Sequence, residues 1–193
     1  MSKVIILNGP PGVGKDTIAN ELDRQHGAFH IRVKDELYSD AYQIFQKHGR
    51  LSFEEFLGLM NDRDKKEKPS ADLSGFSPRQ ALILTSELVY KRIYGNDYYG
   101  ELASNIAKKY ISITSEQANV VFSDGGFIEE VEAIAKKSPT VLVRLHRDGF
   151  LFDGDSRSYV RNAAGVEKEI DIHLEEGNVQ FAVDEIAGAA GII

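Results

Sequence analysis

The sequence predicts an α/β fold, a parallel β-sheet flanked by helices, and three observations carry that prediction. The apolar, largely β-branched run Val4-Ile5-Ile6-Leu7 stops at Asn8-Gly9. It has no polar alternation, which is how a strand covered on both faces reads. A glycine-rich turn and an amphipathic helix follow at once, with Ile18, Ala19 and Leu22 at helical spacing. Short apolar strands then alternate with helical stretches along the rest of the chain, with no internal repeat.

After the first helix, Phe29–Val33 reads as a second strand and residues 35–48 and 52–60 as helices. The second of these helices opens on Ser52-Phe53-Glu54-Glu55, whose outer residues can each satisfy an otherwise orphan backbone N–H. Asn61–Lys68 is densely charged and closes on Pro69, and residues 69–77 read as loop. Ser77-Pro78-Arg79-Gln80 is a second start signal, with serine as cap and proline at the first helical position. It predicts a helix to about Tyr94, broken by Gly95-Asn96, and another helix over 97–110. Asn119–Asp124 is a strand ending in a carboxylate, residues 129–137 a helix and Thr140–Leu145 a further strand. Residues 146–165 are rich in Gly, Asp, Ser and Arg, Asp171–Leu174 is a short strand, and 179–190 is a closing helix.

With 193 residues, 42% of them hydrophobic, the chain suits one domain with its own core. The expected organisation is a core over about 1–34 and 115–193, a helical insert over about 35–112 and a lid over about 146–165. Lys and Arg number 23 against 30 for Asp and Glu, a net charge of −7, which disfavours a dedicated binder of nucleic-acid polymers. The absence of cysteine excludes disulfides, thiolate metal sites and cysteine nucleophiles. No apolar run is long enough for a membrane span, and the expected address is the cytoplasm. The oligomeric state stays open, a homodimer included.

The strongest chemistry lies in Gly9-Pro10-Pro11-Gly12-Val13-Gly14-Lys15-Asp16-Thr17, where Gly9, Gly14 and Lys15 fit G-x-x-x-x-G-K. Such a loop curls its N–H groups around phosphate oxygens, and the helix it opens adds the positive end of its dipole. Lys15 supplies a mobile charge for the outer phosphates. The residue after the lysine is Asp16, where the general pattern has Ser or Thr, and Thr17 comes next. Magnesium would be held by Thr17, by Asp16 through water, or by both, and an N-terminal structural role for Asp16 competes with these.

A GTPase is disfavoured because the nearest string to N-K-x-D, Asn61-Asp62-Arg63-Asp64, lacks the lysine. A small-molecule kinase needs a donor loop, a basic acceptor pocket and arginines that close over the transferred phosphoryl. Arg144, Arg147 and Arg157 around residues 145–157 suit a closing lid and are the catalytic candidates with Lys15. Against that stands the plain alternative of ion pairs with Asp148, Asp153 and Asp155. Asp124, followed by Gly125-Gly126, sits where a carboxylate at a strand's end would meet ligand.

The phosphate loop, Asn61–Pro69, Ser77–Gln80, Tyr94–Tyr98, Phe122–Glu130 and the arginine-rich stretch with Asp155-Ser156-Arg157 together resemble the deoxynucleoside monophosphate kinases of bacteriophages. The resemblance covers most of residues 3–180 and implies ATP and Mg²⁺ as cofactors, a deoxynucleoside monophosphate as acceptor, and a host-cytoplasmic location. It further implies that Arg79 grips the acceptor phosphate, with Arg63, Lys66 and Asp124 as further contacts. Gly125-Gly126 departs from the pattern, since related kinases often carry an arginine near it.

Overall fold

The computed structural model describes residues 2–46, 51–62, 64–113, 118–155 and 157–192. Arg63, Ser156 and the last two residues of the helix expected over 35–48 lie outside the described residues.

Five strands, β1 (Val4–Asn8), β2 (Ala28–Ile31), β3 (Asn119–Phe122), β4 (Thr140–His146) and β5 (Lys168–His173), form one all-parallel sheet in the order β2-β3-β1-β4-β5. β1 is central and every one of its residues is buried, as the unbroken apolar run requires. The helices are α1 (Lys15–His26), α2 (Val33–Phe45), α3 (Phe53–Asn61), α4 (Pro78–Ile83), α5 (Lys91–Tyr94), α6 (Tyr98–Ile113), α7 (Ile128–Ala135) and α8 (Val179–Ala190). Because side chains alternate along β1, its two faces feed two cores. Ile5 and Leu7 pack with Ile18 and Leu22 of α1 and Val183 and Ile186 of α8. Val4 and Ile6 pack with Ala103 and Ala107 of α6 and Val131 and Ile134 of α7.

The chain divides into two compact units, Met1–Val33 with Tyr99–Ile193, and Lys34–Tyr98. The division falls at Tyr98–Tyr99 rather than near 112, because nearly all of α6 packs on the sheet. The Lys34–Tyr98 unit has its own core, in which Tyr38, Phe56, Met60, Leu73 and Ala81 are buried together. Both expected capping boxes form, Ser52 with Glu55 and Ser77 with Gln80, the second with Pro78 in the first turn. The helix expected from Ser77 to Tyr94 is continuous but loosens into a π-helical segment over Leu84–Tyr90. The Thr85 hydroxyl donates back to the Ala81 carbonyl at 2.8 Å in that stretch, a bond that competes with the regular ladder.

β5 starts three residues earlier than its apolar pattern suggests, because Lys168 and Glu169 pair with Val141 and Leu142 of β4. Arg144 fastens this edge. Its side chain is buried, donating to both carboxylate oxygens of Asp171 (2.9 and 2.7 Å), to Glu169 at 2.5 Å and to the Val160 carbonyl at 3.1 Å. The paired guanidinium holds the Asp171 carboxyl far below the usual carboxylate range, and the Arg144 pKa rises correspondingly.

Replacing Arg144 by Leu removes the main partner of Asp171 and Glu169, leaving Asp171 to His146 and Arg161, so stability should fall by about 2 kcal/mol at pH 7. The stability due to a carboxylate with a lowered pKa is present above its unfolded pKa and lost as pH falls through its folded pKa. Thermal melts from pH 7 down to pH 3 should therefore show the wild-type advantage intact at neutral pH and shrinking at the acid end. A constant difference would mean that Arg144 acts through packing alone.

Candidate phosphate-binding site

β1 runs directly into the glycine-rich loop, and the parallel register brings the segments after β3 and β4 to the same edge of the sheet. Ile6 lies opposite Phe122 and Asn8 opposite Arg144, so residues 123–126 and 147 onward emerge beside Gly9. This is the carboxyl edge of a parallel sheet, at the central strand where ligands of such folds bind.

Asn8 ties the three segments together. Fully buried, it donates through Nδ2 to the Gly125 carbonyl (3.1 Å) and the Ser158 carbonyl (3.3 Å), while its Oδ1 accepts from the Val160 N–H at 3.0 Å. The loop itself is anchored by Val13, which is buried in the core shared by α1 and α8. Gly14 caps α1 at φ 114°, a conformation that a side chain at this position would strain. Lys15 begins the helix, and its Nζ lies back across the loop, donating to the carbonyls of Gly9 (2.7 Å) and Pro10 (2.8 Å).

The arginines take three different places. Arg144 is engaged at the β4–β5 edge described above. Arg147 lies with its guanidinium 4.9 Å from the centre of the Phe150 ring, and that ring covers Gly12 so closely that a Cβ there would meet it at 3.0 Å. Arg157 is held by Asp155 through two side-chain hydrogen bonds, at 2.8 and 2.6 Å, and Asp155 also accepts the Arg157 backbone N–H. Its stem crosses Gly126, where a Cβ would fall 2.3 Å from the Arg157 Cδ. Gly126 thus makes room for an arginine supplied by a different segment. Arg157 and Asp155 form an ion pair, but not the ordinary surface pair that stood as the alternative to a catalytic role, since the Asp155 side chain is buried.

Charge converges here. Burial, followed by the neighbouring Arg157, lowers the Lys15 pKa to about 8, while Asp16, Asp155 and Asp124 pull it upward. The Arg157 pKa is raised, first by its Asp155 bonds and also by Asp124 and Glu130. Asp124 therefore acts on both cations, and its Oδ1 also accepts from the Val33 N–H at 3.1 Å. Asp16 and Thr17 are exposed on the first turn of α1. Their oxygens suit a hard cation such as Mg²⁺, which takes one or two protein ligands and completes its shell with phosphates and water. Among the described residues no group of three or more His, Asp or Glu is arranged to hold a metal by itself.

In the Lys34–Tyr98 unit, the Arg79 N–H donates to the Lys66 carbonyl at 3.1 Å, and Arg79 Nε pairs with Glu67 at 2.5 Å. Lys66 and Arg79, distant in sequence, are therefore neighbours in the fold. Sequence reasoning did not single out Asn8, His30 or Ser123 as site residues. Asn8 carried the clearest signal, a polar residue directly after a run buried on both faces.

No family model matches this chain, and no curated protein sequence matches it. Solved structures do. An unliganded sugar kinase from a Janibacter species superposes with a TM-score of 0.50 over 100% of this chain and 96% of that one, at 11% identity. A gluconokinase from Sinorhizobium meliloti gives a TM-score of 0.46 at 14% identity, over 99% and 91% of the two chains. The likeness to the Janibacter protein covers both chains nearly end to end, so this chain shares its α/β fold, a parallel sheet flanked by helices. Among the described residues no helix is long and apolar enough to cross a membrane.

A partly buried lysine whose pKa is lowered to about 8 binds fewer protons folded than unfolded between that value and its ordinary 10.5. Its burial penalty is thus greatest below pH 8 and fades as pH rises to 10.5. Lys15→Met should melt at a higher temperature than wild type at pH 7, with the gap narrowing toward pH 10. A gap that stays constant would show that the Lys15 charge is not what the folded state is working against.

Proposed function

We propose that the protein transfers the γ-phosphoryl group of ATP, with Mg²⁺, to a deoxynucleoside monophosphate, giving a diphosphate and ADP. The observation that carries the phosphotransfer reading is the convergence of Lys15 and Arg157 beside the phosphate loop, near enough for one charge to lower the pKa of the other. A polyphosphate would add to the negative charge that Asp155, Asp16 and Asp124 already set against these two cations. Phosphoryl transfer asks mainly for positioning and for charge stabilisation on the transferred oxygens, and these two groups offer both.

In this reading the loop amides of Gly9–Thr17 and Lys15 hold the donor. Arg157 stabilises the oxygens in transfer, and Arg147 on Phe150 closes the donor side. Mg²⁺, when bound with ATP, neutralises charge between the outer phosphates, and Asp16 and Thr17 would hold it, directly or through water. Asp124 orients Lys15 and Arg157 through its charge. Arg144 serves the lid from behind, by holding Val160. The acceptor assignment rests on the resemblance in Asn61–Pro69, Ser77–Gln80 and Phe122–Glu130. The backbone bond between Arg79 and Lys66 brings these two basic residues into one turn region, although the Arg79 side chain is paired with Glu67 there. The reading places the protein in the cytoplasm, acting on small molecules.

The test is ADP release with ATP and Mg²⁺ against a panel of deoxynucleoside monophosphates, their ribose forms, dephospho-coenzyme A and hexose sugars, the last because a sugar kinase shares the fold. Turnover with a deoxynucleoside monophosphate is expected, abolished in Lys15→Ala and reduced about a thousandfold in Arg157→Ala. Turnover with another acceptor alone would keep the phosphotransfer reading and replace the acceptor. ATP binding without any acceptor-dependent ADP release would instead indicate a nucleotide-binding regulator. Gly126→Ala should lower kcat about as much as Arg157→Ala while melting near the wild-type temperature, because the added methyl meets the flexible Arg157 stem.

A further inference from the structure

Asp16 is where the loop departs from the general pattern, and the fold gives its carboxylate a support chain. The Ser123 hydroxyl, at the end of β3, lies 2.6 Å from Asp16 Oδ1. Its Oγ also lies 2.8 Å from Nε2 of His30, on β2. The other ring nitrogen of His30 is 2.7 Å from the Asn20 side-chain amide, one turn beyond Asp16 on α1. The chain thus leaves α1 at Asp16, crosses the ends of two strands and returns to α1 at Asn20.

Proton counting gives it a direction. A serine hydroxyl has one hydrogen, and an ionised carboxylate only accepts, so that hydrogen goes to Asp16. Ser123 Oγ can then only accept from His30, so Nε2 carries the hydrogen, and a neutral ring accepts at Nδ1 from the NH2 of Asn20 once that amide is turned from the orientation with Oδ1 beside it. Ser123 is 2% exposed and the His30 side chain 12%, so the supporting bonds are sheltered from water. The Asp16 side chain, by contrast, is 61% exposed. One carboxylate oxygen is fastened from inside the fold while the group stands at the solvent face of the phosphate loop.

We propose that Ser123 and His30 are positioning residues that orient the Asp16 carboxylate toward nucleotide-bound Mg²⁺, doing for an aspartate what the shorter hydroxyl of the general loop does by its own reach. The proposal rests on the phosphotransfer reading above. It differs from a purely structural tie in one respect: losing the chain should impair magnesium-dependent nucleotide affinity and spare the metal-free part, which the loop amides and Lys15 provide.

The experiment is titration calorimetry of the full chain with ATP, in excess Mg²⁺ and in excess EDTA, for wild type, Ser123→Ala, Ser123→Thr, His30→Leu and His30→Gln. The readout is the ratio of the two affinities. Loss of one hydrogen bond to a charged group corresponds to about tenfold. Ser123→Ala and His30→Leu should lose about that factor from the ratio, with EDTA-condition affinity within about twofold of wild type. Ser123→Thr keeps the hydroxyl and His30→Gln places an amide N–H near the Nε2 position, so both should retain the ratio. An unchanged ratio in Ser123→Ala and His30→Leu overturns the proposal while leaving the phosphotransfer reading intact. Equal loss under both conditions, in the conservative variants as well, also overturns it, since that marks a structural tie. Wild type that binds no ATP overturns both readings.

Discussion

Three hydrogen bonds from one buried asparagine set the geometry at the phosphate loop. Asn8 ends the most buried strand of the sheet, where an amide side chain would be costly without partners. Its partners are backbone groups of Gly125, Ser158 and Val160, from two segments more than 110 residues away. They lock the exit of β3 and the segment Ser158–Val160 to the start of the loop. Arg144 donates to the carbonyl of the same Val160 from the neighbouring strand, so this residue is held from two sides.

Electrostatics built on that frame is deliberately unbalanced. Burial first and the Arg157 charge second lower the Lys15 pKa, while Asp16, Asp155 and Asp124 act against both. Asp155 aims Arg157 with two side-chain bonds, and Gly126 keeps the space that its stem needs. The three arginines that look alike in the sequence have become three different things: a strand-edge clamp, a cation on an aromatic ring, and a charge paired with Asp155.

Much of the fold was legible because its signals are local. The β1 run, the capping boxes at Ser52 and Ser77, and the closing helix over 179–190 each follow from a few adjacent residues. The elements that read poorly are those defined by partners. β5 begins at Lys168 because a neighbouring strand offers hydrogen bonds there, and no apolar periodicity announces it. The residues after Tyr98 read as part of a helical insert, yet α6 belongs to the sheet unit because its alanines fit against Val4 and Ile6.

By itself the sequence determined the parallel α/β class, the place of the phosphate loop on β1 and α1, and the presence of an arginine-rich segment after β4. Those depend on periodicity, glycine and capping chemistry, which act within a turn or a strand. Tertiary structure alone decided which arginine stands by Lys15, that Asn8 joins three segments, and that Ser123 and His30 stand behind Asp16. Such pairings join residues some 90 to 150 positions apart, and hydrogen bonds of that span leave no periodic trace in the chain.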